Sequence, residues 1–223
     1  MTERPRVIVL NPNSSVSVTQ AIDRAVQSTA AASLCHFESV TAIDGPPGIV
    51  TQEDYERASV LVADYLQRHA GDAQAFVIAC FSDPGVRAAR AGSGKTVVGL
   101  GESGLRAALQ CGRRAGVVAV ASAAIPRHLR YWQALGLQGQ VAGEQALNLR
   151  VDQSGDPKLA FGPMCEAARR LRDEDGADVL LLGCAGMADL RQPLEDWIGL
   201  PVIDPCHAAA QAAQAALAED GVR

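Results

Sequence analysis

Two cysteines stand where a chain can best use a thiol as an acid or a base. Cys80 follows Val77-Ile78-Ala79 and precedes Phe81-Ser82-Asp83-Pro84-Gly85; Cys184 follows Leu180-Leu181-Leu182-Gly183 and precedes Ala185-Gly186-Met187. Each ends an apolar run of strand length, just before small or polar residues that can open a helix. Open α/β sheets bind ligands at the carboxyl ends of their strands, and a helix N-terminus favours a thiolate over a thiol. A free thiol has a pKa of roughly 8.5, so modest help brings it within reach of proton transfer near neutral pH. The pair reads as catalytic.

The elements that must position these thiols come in duplicate. Cys80 and Cys184 are 104 positions apart (184 − 80), and Thr96-Val97-Val98-Gly99-Leu100-Gly101 aligns at the same offset with Leu200-Pro201-Val202-Ile203-Asp204-Pro205. Val7-Ile8-Val9-Leu10-Asn11 matches Val117-Val118-Ala119-Val120-Ala121 at an offset of 110. Three strand-like runs repeated in one order predict two similar α/β halves of parallel sheet, with the site in the cleft between them. We place the first half at 1–95 plus 207–223 and the second at 96–206.

In the first half the pattern predicts strands at 7–10, 37–43 and 76–79 and helices at 16–31 and 52–69. Asn11-Pro12-Asn13-Ser14-Ser15 is a turn that can cap the first helix, and Asp44-Gly45-Pro46-Pro47-Gly48 suits a lid or pocket wall. Asp83 is expected to cap a short helix to Ala91, with Pro84 at its first position, as a nest for an anionic oxygen. In the second half we expect strands at 97–100, 117–121, 179–182 and 202–204. Helices are expected at 102–110, 126–135, 144–150, 157–174 and 189–197, and an alanine-rich helix at 207–219 that packs back on the first half.

Composition narrows the partners. The balance of 20 basic against 25 acidic residues gives a net charge of −5, with no basic run beyond Arg113-Arg114 and Arg169-Arg170. Nucleic acid and anionic membranes are therefore not expected partners, while small neutral or anionic molecules stay open. No apolar stretch approaches the roughly 20 residues needed to span a bilayer, and the N-terminus runs into a strand instead of a signal segment. A cytoplasmic protein is the expectation. The six cysteines at 35, 80, 111, 165, 184 and 206 should then be reduced, and their spacing offers no structural zinc site. Cys35, Cys111 and Cys165 read as small semi-buried hydrophobes; Cys206, after a strand end, could pack or line the cleft. Ala89-Arg90-Ala91-Gly92-Ser93-Gly94-Lys95-Thr96 loosely resembles a phosphate loop, but it runs from helix to strand, the reverse of the order such loops need. Among the four histidines, His207, just past a strand end, is the one placed to face the cleft.

With these residues assembled, the chain resembles the aspartate/glutamate/hydantoin racemase superfamily, and within it the hydantoin and allantoin racemases. Asn11 to Ser15, Ala79 to Gly85, Gly183 to Met187 and Pro201 to Pro205 carry the resemblance. It implies two Rossmann-like halves about a pseudo-twofold axis, one thiol from each, and neither cofactor nor metal. Cys80 and Cys184 would be acid/base thiols inverting a stereocentre from opposite faces. Asn13, Ser14, Ser82 and Ser122 would be substrate contacts, with Phe81, Ala185, Gly186 and His207 beside them.

The free-amino-acid racemases of this superfamily place Asn-Thr or Thr after the two cysteines. Here Phe81-Ser82 and Ala185-Gly186 stand instead, a less polar surround that suits a flat uncharged ring. We expect an isomerase acting on a 5-substituted hydantoin, allantoin included. An aspartate/glutamate-type racemase, a maleate isomerase-like enzyme and a non-catalytic ligand-binding protein are the alternatives, while the second thiol argues against a single-cysteine arylmalonate decarboxylase. The expected partners are a small cyclic ureide and further copies of the chain in a homo-oligomer.

Overall fold

Runs of Val, Ile, Leu and Ala without polar interruption make strands buried on both faces, which is the habit of parallel sheets covered by helices. The computed structural model describes residues 4–220, so 1–3 and 221–223, assigned above to the first half, lie outside the described residues. The chain runs β1 (Arg6–Asn11), α1 (Val16–Gln27), α2 (Ala31–Leu34), β2 (His36–Thr41), α3 (Gln52–His69), β3 (Ala75–Ile78), α4 (Val86–Ser93) and β4 (Thr96–Gly99). It continues through α5 (Leu100–Cys111), β5 (Ala115–Ala119), α6 (Ile125–Ala134), β6 (Val141–Ala146), α7 (Pro157–Asp173), β7 (Val179–Gly183), α8 (Arg191–Ile198), β8 (Val202–Ile203) and α9 (Pro205–Asp220).

The strands form two parallel sheets with the same order, β2-β1-β3-β4 and β6-β5-β7-β8. The repeat read from the sequence is thus the architecture: β1, β3 and β4 correspond to β5, β7 and β8. Helices cover both faces of each sheet. Val7, Val9, Ile22 and Val26 form one core of the first half and Ile8, Leu66 and Phe76 the other; Val118, Met164 and Leu180 anchor one face of the second sheet, Val117, Trp132 and Leu181 the opposite one. The alanines of α9 act as expected. Ala209, Ala210 and Ala213 join the core around Val7 and Val9, so the last helix closes the first half.

Three expectations need correction. The segment 144–150 is not a helix; its first residues belong to β6, an edge strand that pairs only with β5. Glu, Gln, Ala and Leu are good helix formers, but pairing with a buried neighbour outweighs a propensity of a few tenths of a kcal/mol per residue. A division at 95/96 gives β4 to the second half, whereas β4 pairs with β3 and closes the first sheet. Finally, the helix expected at 16–31 stops at Gln27, where Ser28 and Thr29 turn their hydroxyls onto the Ala25 and Val26 carbonyls, and resumes as the short α2. Among the described residues no helix is long and apolar enough to cross a membrane.

Candidate active site

Cys80 sits just past β3, whose four residues are all buried. The loop that follows is held by Asp83, which adopts a left-handed backbone (φ 48°), a region an aspartate tolerates better than most residues. Its carboxylate accepts the N–H groups of Gly101 (2.9 Å) and Glu102 (2.8 Å) and the Tyr131 hydroxyl (3.0 Å). Asp83 therefore caps α5, not the helix directly after it as expected from the sequence; α4 begins at Val86, after Gly85 at φ 72°. The contact is tight because glycines flank the first residue of α5: a Cβ at Gly99 would run into the Asp83 carboxylate, and one at Gly101 into the Phe81 carbonyl oxygen. Burial pushes the Asp83 carboxyl up to about 7, against the pull of these donors.

Cys184 occupies the corresponding place after β7 and opens a 3₁₀ turn at Ala185–Leu190. Its sulfur accepts the Ser154 hydroxyl at 3.3 Å and the Gly186 N–H at 3.4 Å. Burial pushes this thiol up, and those two donors pull it down. Burial likewise pushes the Cys80 thiol up to about 12, opposed by the Ser82 N–H and the charge of Arg127.

Both cysteines line one narrow cavity of about 50 Å³. Its walls come from the carboxyl ends of the four central strands: Asn13 after β1, Ala79 to Ser82 after β3, Val120 and Ala121 after β5, and Gly183 to Ala185 after β7. Ile49 and Val50, just beyond the loop expected to wall the pocket, close it together with Val151. Asn13 uses its Oδ1 to accept the Ser15 N–H (2.9 Å) and the Asn11 amide (3.1 Å), so among the described residues its own amide N–H₂ has no partner and is available to a ligand carbonyl.

Of the residues singled out in the sequence, Asn13, Cys80, Phe81, Ser82, Cys184 and Ala185 meet in this cavity. Others lie elsewhere. Gly186 acts from behind through its N–H on Cys184, and Ser14 lines an outer hollow with Pro47, Gly48 and Arg150. Ser122 is exposed and spends its N–H on Asn148. His207 faces Ser28 (3.1 Å) and Asp204 (3.4 Å), outside the cavity. Cys206 is fully buried in the core of the first half.

Sequence reasoning missed a group carried by α6. His128 lines the cavity, with Nε2 2.9 Å from the Ser82 hydroxyl and Nδ1 2.9 Å from Glu144 on β6. Glu144 also accepts the Trp132 indole N–H at 2.7 Å, and Arg127 donates to the same Ser82 hydroxyl at 3.2 Å. The arrangement reaches across the cleft, since Ser82 belongs to the first half and the others to the second. A signal was present: positions 127 and 131, and 128 and 132, are four apart and share a helix face.

Known proteins carry the same pattern. The family model described as Asp/Glu/Hydantoin racemase matches residues 7–213. The hydantoin racemase of Pseudomonas sp. (strain NS671) is 34% identical over 210 residues, covering 89% of this chain and 80% of that protein. The hydantoin racemase of Rhizobium meliloti is 32% identical, with 94% and 87% covered. Among solved structures, allantoin racemase from Klebsiella pneumoniae superposes with a TM-score of 0.90 at 29% identity, covering 97% of this chain and 89% of that one. A glutamate racemase from Bacillus anthracis, at 16% identity and a TM-score of 0.72 with 99% and 84% covered, shares the fold. With the repeated sheets and paired strand-end cysteines already in view, these matches settle one point: the chain belongs to the Asp/Glu/hydantoin racemase family.

Proposed function

We propose that this racemase inverts C5 of 5-substituted hydantoins, allantoin included, with Cys80 and Cys184 as opposed base and acid. The observation that carries the reading is the convergence of both thiols, from equivalent strand ends of the two halves, on one narrow cavity. One thiolate takes the C5 proton, and the electron pair passes into the adjacent ring carbonyl as an enolate. The opposing thiol then gives its proton to the other face of C5 and is left as the thiolate. The free amide N–H₂ of Asn13 and the N–H groups at the strand ends are donors for the carbonyl oxygens on which that charge gathers.

The walls favour a neutral ring over a free amino acid. No lysine or arginine is among the residues lining the cavity, which are largely Val, Ile, Ala and Phe. Arg127, behind Ser82, spends its hydrogen bonds on Ser82 and the Thr51 and Val50 carbonyls, so a substrate carboxylate buried there would lack a direct cationic contact, which would be costly. The test is a panel of single-enantiomer hydantoins followed by loss of optical rotation, with L-aspartate and L-glutamate alongside. Faster turnover of either amino acid than of every hydantoin would overturn the substrate assignment.

The two-thiol step is tested separately. Cys80→Ser and Cys184→Ser should each abolish racemisation, because a serine hydroxyl does not ionise near neutral pH. In deuterium oxide each variant should still exchange the C5 proton of one enantiomer, and the two variants should favour opposite enantiomers. NMR corrected for spontaneous exchange reads this directly; a shared preference, or wild-type racemisation by either variant, would dismiss one thiol per face.

A further inference from the structure

Arg127 on α6 is 6% exposed, and its hydrogen bonds all go to neutral acceptors. It donates to the Thr51 carbonyl (3.2 Å), at longer range to the Val50 carbonyl (3.5 Å), and to the Ser82 hydroxyl (3.2 Å), while its guanidinium carbon lies 5.2 Å from the centre of the Tyr55 ring. Its Nε is buried without an acceptor. Among the described residues no carboxylate lies within 4.0 Å of it. Asp54, a carboxylate whose charge favours that of Arg127, is turned onto the N–H groups of Thr51 (2.8 Å) and Val50 (3.2 Å). A buried cation in neutral surroundings is unfavourable unless a counter-charge is supplied.

A counter-charge is available one residue from Ser82's neighbour Phe81. Ser82 links the two groups, its hydroxyl taking the Arg127 hydrogen bond and its N–H favouring a Cys80 anion; burial holds the resting sulfur as a thiol, and its ionisation would give Arg127 the counter-charge it lacks. We propose that Arg127 is the positioning residue for the Cys80 half of the reaction, a buried cation whose partner is the Cys80 thiolate, formed and discharged in each turnover. Among the described residues Cys184 has no equivalent. Its support is the Ser154 hydroxyl and the Gly186 N–H, and the buried Asp204 carboxyl opposes its anion. The halves share a fold, but the thiols they present are chemically unequal.

The other groups facing this pair leave the assignment intact. Asp83 and Cys184 both disfavour a Cys80 thiolate, so neither replaces Arg127. His128, backed by Glu144, reaches Cys80 only through Ser82. Arg130 carries the same sign as Arg127 and opposes its charge.

The inference rests on the reading of Cys80 as an acid/base thiol, so the experiment reads ionisation without turnover. The probe is iodoacetamide applied to the free enzyme across a pH series, with Cys80 and Cys184 quantified separately by mass spectrometry. In Arg127→Gln and Arg127→Met, alkylation of Cys80 below its pKa should fall about tenfold, the loss expected when an adjacent opposite charge is removed, while Cys184 changes little. Arg127→Lys keeps the charge and should hold Cys80 within about threefold of the wild type. Equal changes at both thiols, no change at Cys80, or a lysine variant as slow as the neutral ones would overturn the proposal. If neither neutral variant folds, the lysine variant decides alone: near-wild-type reactivity of Cys80 supports the pairing, and a tenfold loss refutes it. None of these results bears on the deuterium-exchange test of the two thiols.

Discussion

Asp83 was read from the sequence as the cap of its own helix, and the structure gives it to a different one. Its carboxyl, pushed up to about 7 by burial, holds a proton more tightly in the folded chain than in the unfolded one, where an aspartate ionises near pH 3.9, roughly. The stability this adds is complete below about pH 4 and is lost as pH rises towards about 7, for at most about 4 kcal/mol. Asp83→Asn lacks that titration. Urea unfolding at a series of pH values should find the gap in stability between wild type and variant narrowing from about pH 4 to about pH 7; a constant gap would mean the buried carboxyl is ionised throughout. The thiols were legible because a cysteine after an apolar run sits at a strand end whatever the rest of the fold does. Arg127 and His128 were not, because an arginine and a histidine on an amphipathic helix read as a solvated face until the opposite half of the molecule is seen to cover them.

Among the elements, the strand misread as a helix is the informative failure. Glu144 to Arg150 has helical composition, and pairing with β5 takes its first residues, to Ala146, into the sheet instead. The repeat held the missing signal, because β2 at His36–Thr41 has its counterpart 105 positions later, at Val141–Ala146. Elements built from one continuous apolar run were readable; those defined by contact with the other end of the chain were not. The junction of β4 and α5 offers a paired test. Gly101→Ala should lower stability by about 1–3 kcal/mol, since the new methyl meets the Phe81 backbone that carries Cys80, and racemisation should suffer along with it. Gly92→Ala, in α4 with nothing within 4 Å of its Cβ, should raise stability by roughly 0.5–1 kcal/mol and leave racemisation alone. Thermal unfolding beside initial rates separates the two; an unharmed Gly101→Ala would show that the loop at Cys80 tolerates displacement.

For the whole molecule, the two similar halves and the return of the last helix to the first half were legible in the sequence, while the strand order of the sheets was not. The chain leaves the first half only after β4, and α9 returns to it, so two chain crossings tie the halves together. The narrowness of that cleft has a kinetic consequence. If opposed thiols invert C5 as proposed, each inversion leaves the enzyme with its proton on the wrong sulfur for another turn in the same direction, although ready for the reverse one. With so little room for water between the walls, the proton must cross after the product has left, which makes resetting the empty enzyme a step in its own right. Net conversion should then stop rising at high substrate concentration, while label exchange between enantiomers near equilibrium continues to climb. Isotope-labelled substrate mixed with a large excess of the unlabelled opposite enantiomer would reveal this memory as a transient drift of label away from its equilibrium distribution, and label that moves straight to equilibrium would show that the two protonation states interconvert before the next substrate arrives.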